Sequence, residues 1–419
     1  MTRGRNVVIC GAGIIGLSSA YYLLGQGHRV TILERGAPEH DCCSLGNAGF
    51  ISPSHFLPLA APGMVRKALQ WMWDPESPFY VHPRLDPGLV AWGVRFWRAS
   101  RRSRAHRAGP LLRDLNLASR SLYEDLAGRS DNEFGLRCQG LLVLVRSRGG
   151  LEEETELASR SRELGMPAEV LGAGEIAALE PGVTFDVLGG VFYPLDAHLV
   201  PQRLAAMLTR LVAERGGTFL WKAEVRGWRR RGDALNAAVT EAGDIGGDEF
   251  VLSAGAWTPL LARELGLGIP MQPGKGYSLT LDSPRQLPQR SFILQEARVA
   301  VTPMGSSLRV GGTMELAGYD LRINPPRIRG MTRSLSRYLP AFLPEDFVPC
   351  RPWCGLRPCT PDGLPYIGRT RRWRNLIVAA GHAMMGVSMG PITGKLVADI
   401  VSGHAPTVEI AALKPDRCG

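Results

Sequence analysis

Residues 7–35, VVICGAGIIGLSSAYYLLGQGHRVTILER, constrain the fold more than any other stretch. They open on Val7, Val8, Ile9 and Cys10, a short apolar run of the kind that forms a strand buried on both faces. Gly11, Gly13 and Gly16 then supply a G-x-G-x-x-G spacing, and residues 17–24 read as a helix with Gly25 and Gly27 near its end. A second apolar strand, residues 30–33, finishes on Glu34. Gly11 permits a tight turn, Gly13 lets a pyrophosphate approach the backbone, and Gly16 allows close packing of helix on strand. The N–H groups and positive end of the helix favour phosphate, and Glu34 can accept both hydroxyls of a ribose. Three spaced glycines alone are a weak signal. Strand, glycines, helix, strand and acid in register make a dinucleotide site.

A chain of 419 residues suggests two or three domains, and 45% hydrophobic with 21% charged residues is ordinary for a globular protein. The net charge of +10 comes from arginine, since Lys67, Lys222, Lys275, Lys395 and Lys414 are the only lysines. Such a bias argues against a nucleic-acid partner and leaves an acidic substrate or an anionic membrane surface open. No apolar run is long enough to span a bilayer. The glycines and Glu34 account for the first thirty residues better than a signal peptide does. A cytoplasmic protein is expected, with or without contact to the inner face of the membrane. The eight cysteines form no C-x-x-C pair, so no metal site is expected.

Further along, residues 42–50 form a loop of small and hydroxyl residues. Between residues 62 and 109, Trp71, Trp73, Phe79, Tyr80, Trp92, Phe96 and Trp97 stand among prolines and arginines. Leu89, Trp92 and Phe96 share one helical face, and Arg95, Arg98 and Arg102 another. That pattern suits a helix packed on the core, or one lying on an anionic membrane with its aromatics dipping inward. Helices are expected over residues 111–126, 152–164, 200–215 and 388–401. Strands are expected over 140–145, 190–194, 218–225, 249–252, 277–281, 292–302, 308–312 and 375–380. The Gly172-Ala173-Gly174 run lacks a third glycine and is read as a short capped turn, not a second nucleotide motif.

Four pieces in order carry a resemblance: GAGIIGLSSAYYL…ILER, GNAGFISPSHFLPLAAPG from Gly46, VLSAGAWTP from Val251, and WCGLRPCTPDGLPYIG…NLIVAAGHAMMGVSMGPITGKLVADI. Together they resemble the FAD-dependent D-amino acid oxidase/dehydrogenase superfamily, and within it the bacterial D-amino acid dehydrogenases, over nearly the whole chain. The resemblance implies an α/β chain. A discontinuous Rossmann-like FAD-binding domain (1–62, 190–262 and 350–419) would carry an α+β substrate domain (63–189 and 263–349) with a mostly antiparallel sheet. Non-covalent FAD would be held by Gly11, Gly13, Ile14, Ile15, Gly16, Glu34 and Arg35 at its ADP half. Ser44, Asn47, Ala48, Gly49, Val225, Ala254, Gly255 and Trp257 would follow, with Gly381, His382, Met385, Gly386 and Val387 beside the ring. Cys354 and Cys359 lie near a position where some relatives attach flavin covalently, but the GLRPCTPDG context resembles the non-covalent branch.

For the substrate, Arg357 of the GLRP motif matches the carboxylate-binding arginine of glycine-oxidase-like members. A planar guanidinium grips a carboxylate through two parallel hydrogen bonds. Pairing with Asp362 would instead make Arg357 structural. Tyr277 and His55 are further candidates for the substrate, and Tyr277 and His382 for catalysis. The implied reaction is oxidative deamination of a D-amino acid, D-proline or cis-4-hydroxy-D-proline foremost. Hydride passes to FAD, and a quinone or other acceptor takes the electrons. An oxygen-using oxidase of glycine- or sarcosine-like amines, or an electron-relay flavoprotein subunit, is the alternative.

Overall fold

The computed structural model describes residues 4–58, 60, 70–72 and 74–418, without the side chains of residues 102–106. Trp73, the Arg102 side chain, and residues 59 and 61–63 of the Gly46 motif lie outside the described residues.

The apolar run at the start becomes the central strand Asn6–Cys10 of a six-stranded sheet. Across this sheet the strands run Tyr366–Arg369, Leu376–Ala380, Glu249–Leu252, Asn6–Cys10, Arg29–Glu34 and Thr218–Trp221. All neighbours are parallel except the antiparallel edge strand Tyr366–Arg369. Helices cover one face, and a three-stranded meander with the short helix Thr258–Glu264 covers the other, so the inner strands are mostly apolar. The first helix, Ile14–Gly25, and the last, Gly390–Ser402, contribute Leu17, Val397 and Val401 to one core with Ile9, Ile32 and Val251. This is the Rossmann-like half of the expected fold. It is assembled from both ends of the chain, because the strand beside Asn6–Cys10 comes 240 residues later.

A second, nine-stranded sheet has the order Trp353–Cys359, Gln272–Asp282, Ser307–Leu316, Val299–Met304, Ser291–Leu294, Leu141–Val145, Gly189–Tyr193 and Glu169–Gly172, with Phe79–Val81 pairing alongside Ser307–Leu316. Its pairings are antiparallel apart from two. Its core gathers Phe292, Val301, Leu308 and Val310 with Leu335 and Phe342.

Two expected strands need correction. Residues 292–302 form two antiparallel strands, broken where Arg298 takes a φ of 53°. Residues 218–225 are the strand Thr218–Trp221 followed by a turn at Lys222 (φ 56°), after which Val225–Arg231 joins a separate three-stranded meander. In both places a short polar stretch, Gln295-Glu296-Ala297-Arg298 and Lys222-Ala223-Glu224, marks the turn that the expected strand ran through. In the run at residues 172–175, Glu175 caps the Gly172 N–H at 2.7 Å and opens the short helix Ala173–Leu179.

The tryptophan-rich region contains the helix Pro87–Ala99, capped by Asp86. Leu89, Trp92 and Phe96 turn onto the protein beside Met314, Leu316 and Cys359, and Trp92 donates its ring N–H to the Cys359 carbonyl at 3.0 Å. These aromatics therefore do not face outward, as a membrane-dipping role would need. Leu85, Val90, Val94 and Trp97 are the apolar groups left exposed.

Candidate active site

At the first strand–helix turn, Gly11 has a φ of 110°, and a Cβ on Gly16 would lie 1.9 Å from the Gly11 carbonyl oxygen. Only glycine permits that turn and that approach. Gly13 stands at the helix N-terminus with no side-chain cap, and the Ile14 N–H donates to Ser44 Oγ at 3.1 Å. Glu34 is buried and accepts from the Ala12 N–H and the Gly36 N–H, each at 2.9 Å. One lone pair on each oxygen is thereby used to orient the carboxylate, and another remains for a ligand hydroxyl. Arg35 lies over Trp257, its guanidinium carbon 3.7 Å from the ring centre.

These groups open onto one cavity of about 1040 Å³ that runs from Glu34 to the loop before the last helix. Gly11, Gly13, Ile14, Ile15, Glu34, Arg35, Ser44 and Asn47 line it, as do Val225, Ala254, Gly255, Trp257, His382, Gly386 and Val387. Gly16, Ala48, Gly49, Gly381 and Met385 are not wall residues. Gly16, Gly49 and Gly381 instead shape the backbone behind the wall; a Cβ on Gly49 would meet the Leu199 carbonyl at 2.2 Å, and one on Gly381 would meet Thr360 at 2.5 Å. Met385 packs behind the loop against Ile392, Leu115 and their neighbours.

The far end is held by the long helix Arg102–Arg129. From it Ser119 Oγ donates to the Ser388 carbonyl at 2.6 Å and Tyr123 OH to the Val387 carbonyl at 2.6 Å, while Ser388 Oγ donates to Asn116 at 2.7 Å. Asn47 adds a bond from its amide to the Met384 carbonyl at 3.2 Å. His382 shares a hydrogen bond with Thr393 at 2.9 Å, and burial lowers its pKa to about 3. Its ring is therefore neutral at ordinary pH, and it stands in the cavity wall. His55 is a correction too: it is not part of the cavity wall, and it lies beside Ser54 with burial lowering its pKa to about 4.

Residues that pair across neighbouring strands share a face. Gly274, Gly276 and Ser278 therefore lie on one face with Arg357, Gly355 and Trp353, and Lys275 and Tyr277 lie on the other. The first face looks toward the residue 42–49 loop: Arg309, opposite Thr280, donates to the Leu45 and Asn47 carbonyls at 2.9 Å each. Arg357 lies half-buried on this face; it is not itself a wall residue of the cavity, although its neighbours Gly355, Leu356 and Pro358 are. Its Nη1 donates to the Thr313 carbonyl at 2.5 Å, and its Nη2 stands 3.5 Å from the Gly312 carbonyl. It does not pair with Asp362, whose carboxylate is held by Arg417 at 2.8 and 3.0 Å. Among the described residues no carboxylate forms an ion pair with Arg357.

Tyr277 requires correction. Its hydroxyl donates to Glu315 at 2.9 Å within a buried cluster, so it does not reach the cavity. The alternation of a strand puts consecutive residues on opposite faces, and Tyr277 follows Gly276.

Sequence reading missed His40, Arg309 and Trp353. His40 is in the wall with Nε2 3.9 Å from Glu34, and Trp353 covers Gly46 and donates to Asp41. Nothing local marks them, since their partners come from other strands and loops.

An uncapped helix N-terminus, an oriented carboxylate and a cavity of this size together fit a dinucleotide cofactor. The FAD dependent oxidoreductase (DAO) family matches residues 6–400. A D-amino acid dehydrogenase of Granulibacter bethesdensis is 34% identical over 97% of this chain and 98% of its own. One of Methylobacterium radiotolerans is 37% identical over 96% and 97%. Among solved structures, glycine oxidase from Geobacillus kaustophilus superposes with a TM-score of 0.78 at 24% identity, covering 99% of each chain. L-proline dehydrogenase from P. horikoshii does so at 0.71 and 19%, covering 100% of this chain and 98% of its own, and these two likenesses show the fold. The chain belongs to the family of FAD-dependent oxidoreductases, and its cofactor is FAD.

Proposed function

We propose that this protein is a D-amino acid dehydrogenase in which Arg357 holds the substrate carboxylate. The observation that carries the reading is a half-buried guanidinium that, among the described residues, hydrogen-bonds only two backbone carbonyls, on the sheet face turned toward the cofactor loop. Burying a cation without an anion is costly, and a carboxylate arriving with the substrate offsets that cost. Its near-full-length relatives named D-amino acid dehydrogenase support the same reading.

Gly11, Gly13 and Glu34 would hold the ADP half of FAD, and His382, Gly386 and Val387 the ring edge. Bound FAD supplies the acceptor for the hydride from the substrate α-carbon. Arg357 orients that carbon, and the neutral His382 walls off water without adding charge. The last helix, Gly390–Ser402, starts three residues after the wall residue Val387, so its positive end would favour negative charge near the ring edge. The cofactor is held non-covalently: burial raises the Cys354 thiol to about 11 and Cys359 to about 12, leaving both protonated and poorly nucleophilic.

The electron acceptor is a quinone, reached through a peripheral contact with an anionic membrane. Exposed Val90, Val94 and Trp97, flanked by Arg98 and Arg101, form the contacting face. Co-sedimentation with anionic but not zwitterionic vesicles is the expected result, reduced in Trp97→Ser. Among the described residues no helix is long and apolar enough to cross a membrane.

An anaerobic panel of D- and L-amino acids, glycine and proline derivatives, followed by flavin absorbance, tests the substrate. D-amino acids should bleach the flavin, D-proline or cis-4-hydroxy-D-proline fastest. Bleaching by L-enantiomers alone overturns the stereochemistry, and bleaching by none points to an electron-relay subunit.

A further inference from the structure

Two backbone features converge on Arg357. Between the strands Gln272–Asp282 and Ser307–Leu316 the register passes from Lys275 opposite Glu315 to Tyr277 opposite Gly312. Thr313 and Met314 thus face Gly276 alone, which is a β-bulge. Thr313 takes a φ of 61°, a conformation that a β-branched residue adopts only when its surroundings impose it. The outcome of the bulge is a carbonyl aimed at Arg357 Nη1.

The second feature is Gly276 itself. A Cβ there would lie 2.2 Å from the Arg357 guanidinium carbon and 2.3 Å from each terminal nitrogen. Its φ is not in the left-handed region, so glycine here answers a need for room and not for conformation. The guanidinium lies directly on the bare backbone of Gly276.

We infer that Gly276 is a positioning residue: its missing side chain forms the shelf on which Arg357 lies, while the Thr313 carbonyl pins one end of the guanidinium. Of the five N–H donors only those at Nη1 and Nη2 meet carbonyls, and the Nη2 contact is long. The remaining donors are left free for a substrate carboxylate. The inference rests on the reading of Arg357 as the carboxylate clamp and adds what sets its pose. Any side chain at 276 lifts the fork and misaligns the α-carbon, although it touches no substrate.

The test is a double-mutant cycle on the flavin-loaded protein, with Gly276→Ala, Arg357→Ala and both together. Each is read by the thermal unfolding midpoint and by anaerobic flavin reduction with the fastest D-amino acid of the panel. Gly276→Ala alone should lower the efficiency of reduction at least about tenfold, chiefly by raising the half-saturating concentration, and should lower the midpoint. In the Arg357→Ala background the same change should alter efficiency by less than about twofold and leave the midpoint unmoved, because nothing remains to displace. Equal penalties in both backgrounds, or no penalty alone, overturn the inference. If Gly276→Ala does not fold, the double variant decides: it should fold, and its failure overturns the shelf. Parent-like reduction by Arg357→Ala would remove the clamp reading instead, while coupling in the midpoint would still report the shelf.

Discussion

Arg327 and Arg357 belong to opposite sides of the same sheet region, and they live under opposite electrostatic rules. Arg327 is 3% exposed and meets Glu315 at 3.2 Å, with further bonds to the Ser77 carbonyl and hydroxyl at 2.7 and 2.8 Å. Glu315 also accepts from Lys275 at 3.1 Å, Tyr277 at 2.9 Å and Asn324 at 2.8 Å. Asp320, 3.8 Å from Lys275 and itself held by Arg322 at 3.0 and 3.2 Å, supplies a second negative charge, so Lys275, Arg327 and Arg322 all find an anion within the chain. Arg357, by contrast, meets backbone dipoles and, among the described residues, no anion. A buried cation with its counter-ion supplied by the chain is structural. One whose environment supplies only carbonyls marks where an anion must come from outside.

That contrast can be broken at several points. Glu315→Gln should do the most damage, because it strands Lys275 and Arg327 without their shared anion. Removing one partner of a buried pair costs about 3–5 kcal/mol. We expect little folded protein, and a parent-like urea midpoint would show that the cluster is hydrated and not load-carrying. Arg357→Ala should instead fold and keep FAD, yet lose at least about a hundredfold in flavin-reduction efficiency, equivalent to about 2.7 kcal/mol. Arg357→Lys should restore only part, since a point charge cannot form the fork. Near-parent rates in stopped-flow reduction would make the arginine structural after all.

A smaller effect comes from His382, which sharpens the reading of its buried ring as a neutral part of the cavity wall. Its folded pKa, about 3, lies below the ordinary 6.5. As pH falls from 6.5 toward 3 the unfolded chain takes up a proton that the folded chain refuses. The stability is therefore complete above 6.5 and declines below it, by at most about 1.4 kcal/mol per pH unit. His382→Asn should flatten the fall of the unfolding midpoint between pH 6.5 and 5, and an unchanged slope would mean that the ring protonates freely. Tyr277→Phe should be the mildest change. It removes one donor from a carboxylate that keeps three, at a cost of about 1 kcal/mol, and should leave flavin reduction at the parent rate. A loss of turnover without a loss of stability would return Tyr277 to the active site.

The nucleotide end of the site is legible in the chain because its parts are consecutive. Gly11, Gly13, Gly16 and Glu34 lie within one strand–helix–strand unit, where each conformation depends on near neighbours. The GLRP stretch likewise marks Arg357 as a candidate. The surroundings of Arg357 are another matter: Gly276 is 81 residues away and Thr313 is 44. Whether a strand residue faces a cavity or a buried carboxylate depends on the register between distant strands, and one step in register exchanges the two faces. Tyr277 and Gly276 show the consequence. Adjacent in the chain, they were separable only by knowing which of them lies opposite Gly355.

What the sequence by itself determined, then, is the dinucleotide unit and the type of residue offered to a substrate; that Gly189–Tyr193 and Trp353–Cys359 join the nine-stranded sheet, against the expected segments 190–262 and 350–419, came from the structure. Only the tertiary structure decided that Glu315 neutralises Lys275 and Arg327, that Arg309 fastens the cofactor loop, and that Arg357 keeps no anion of its own. The physical reason is the range of the forces involved. Backbone turns and helix starts are settled within a few residues, whereas the counter-ion and the packing partner of a charged side chain are supplied by whatever strand the whole fold brings beside it.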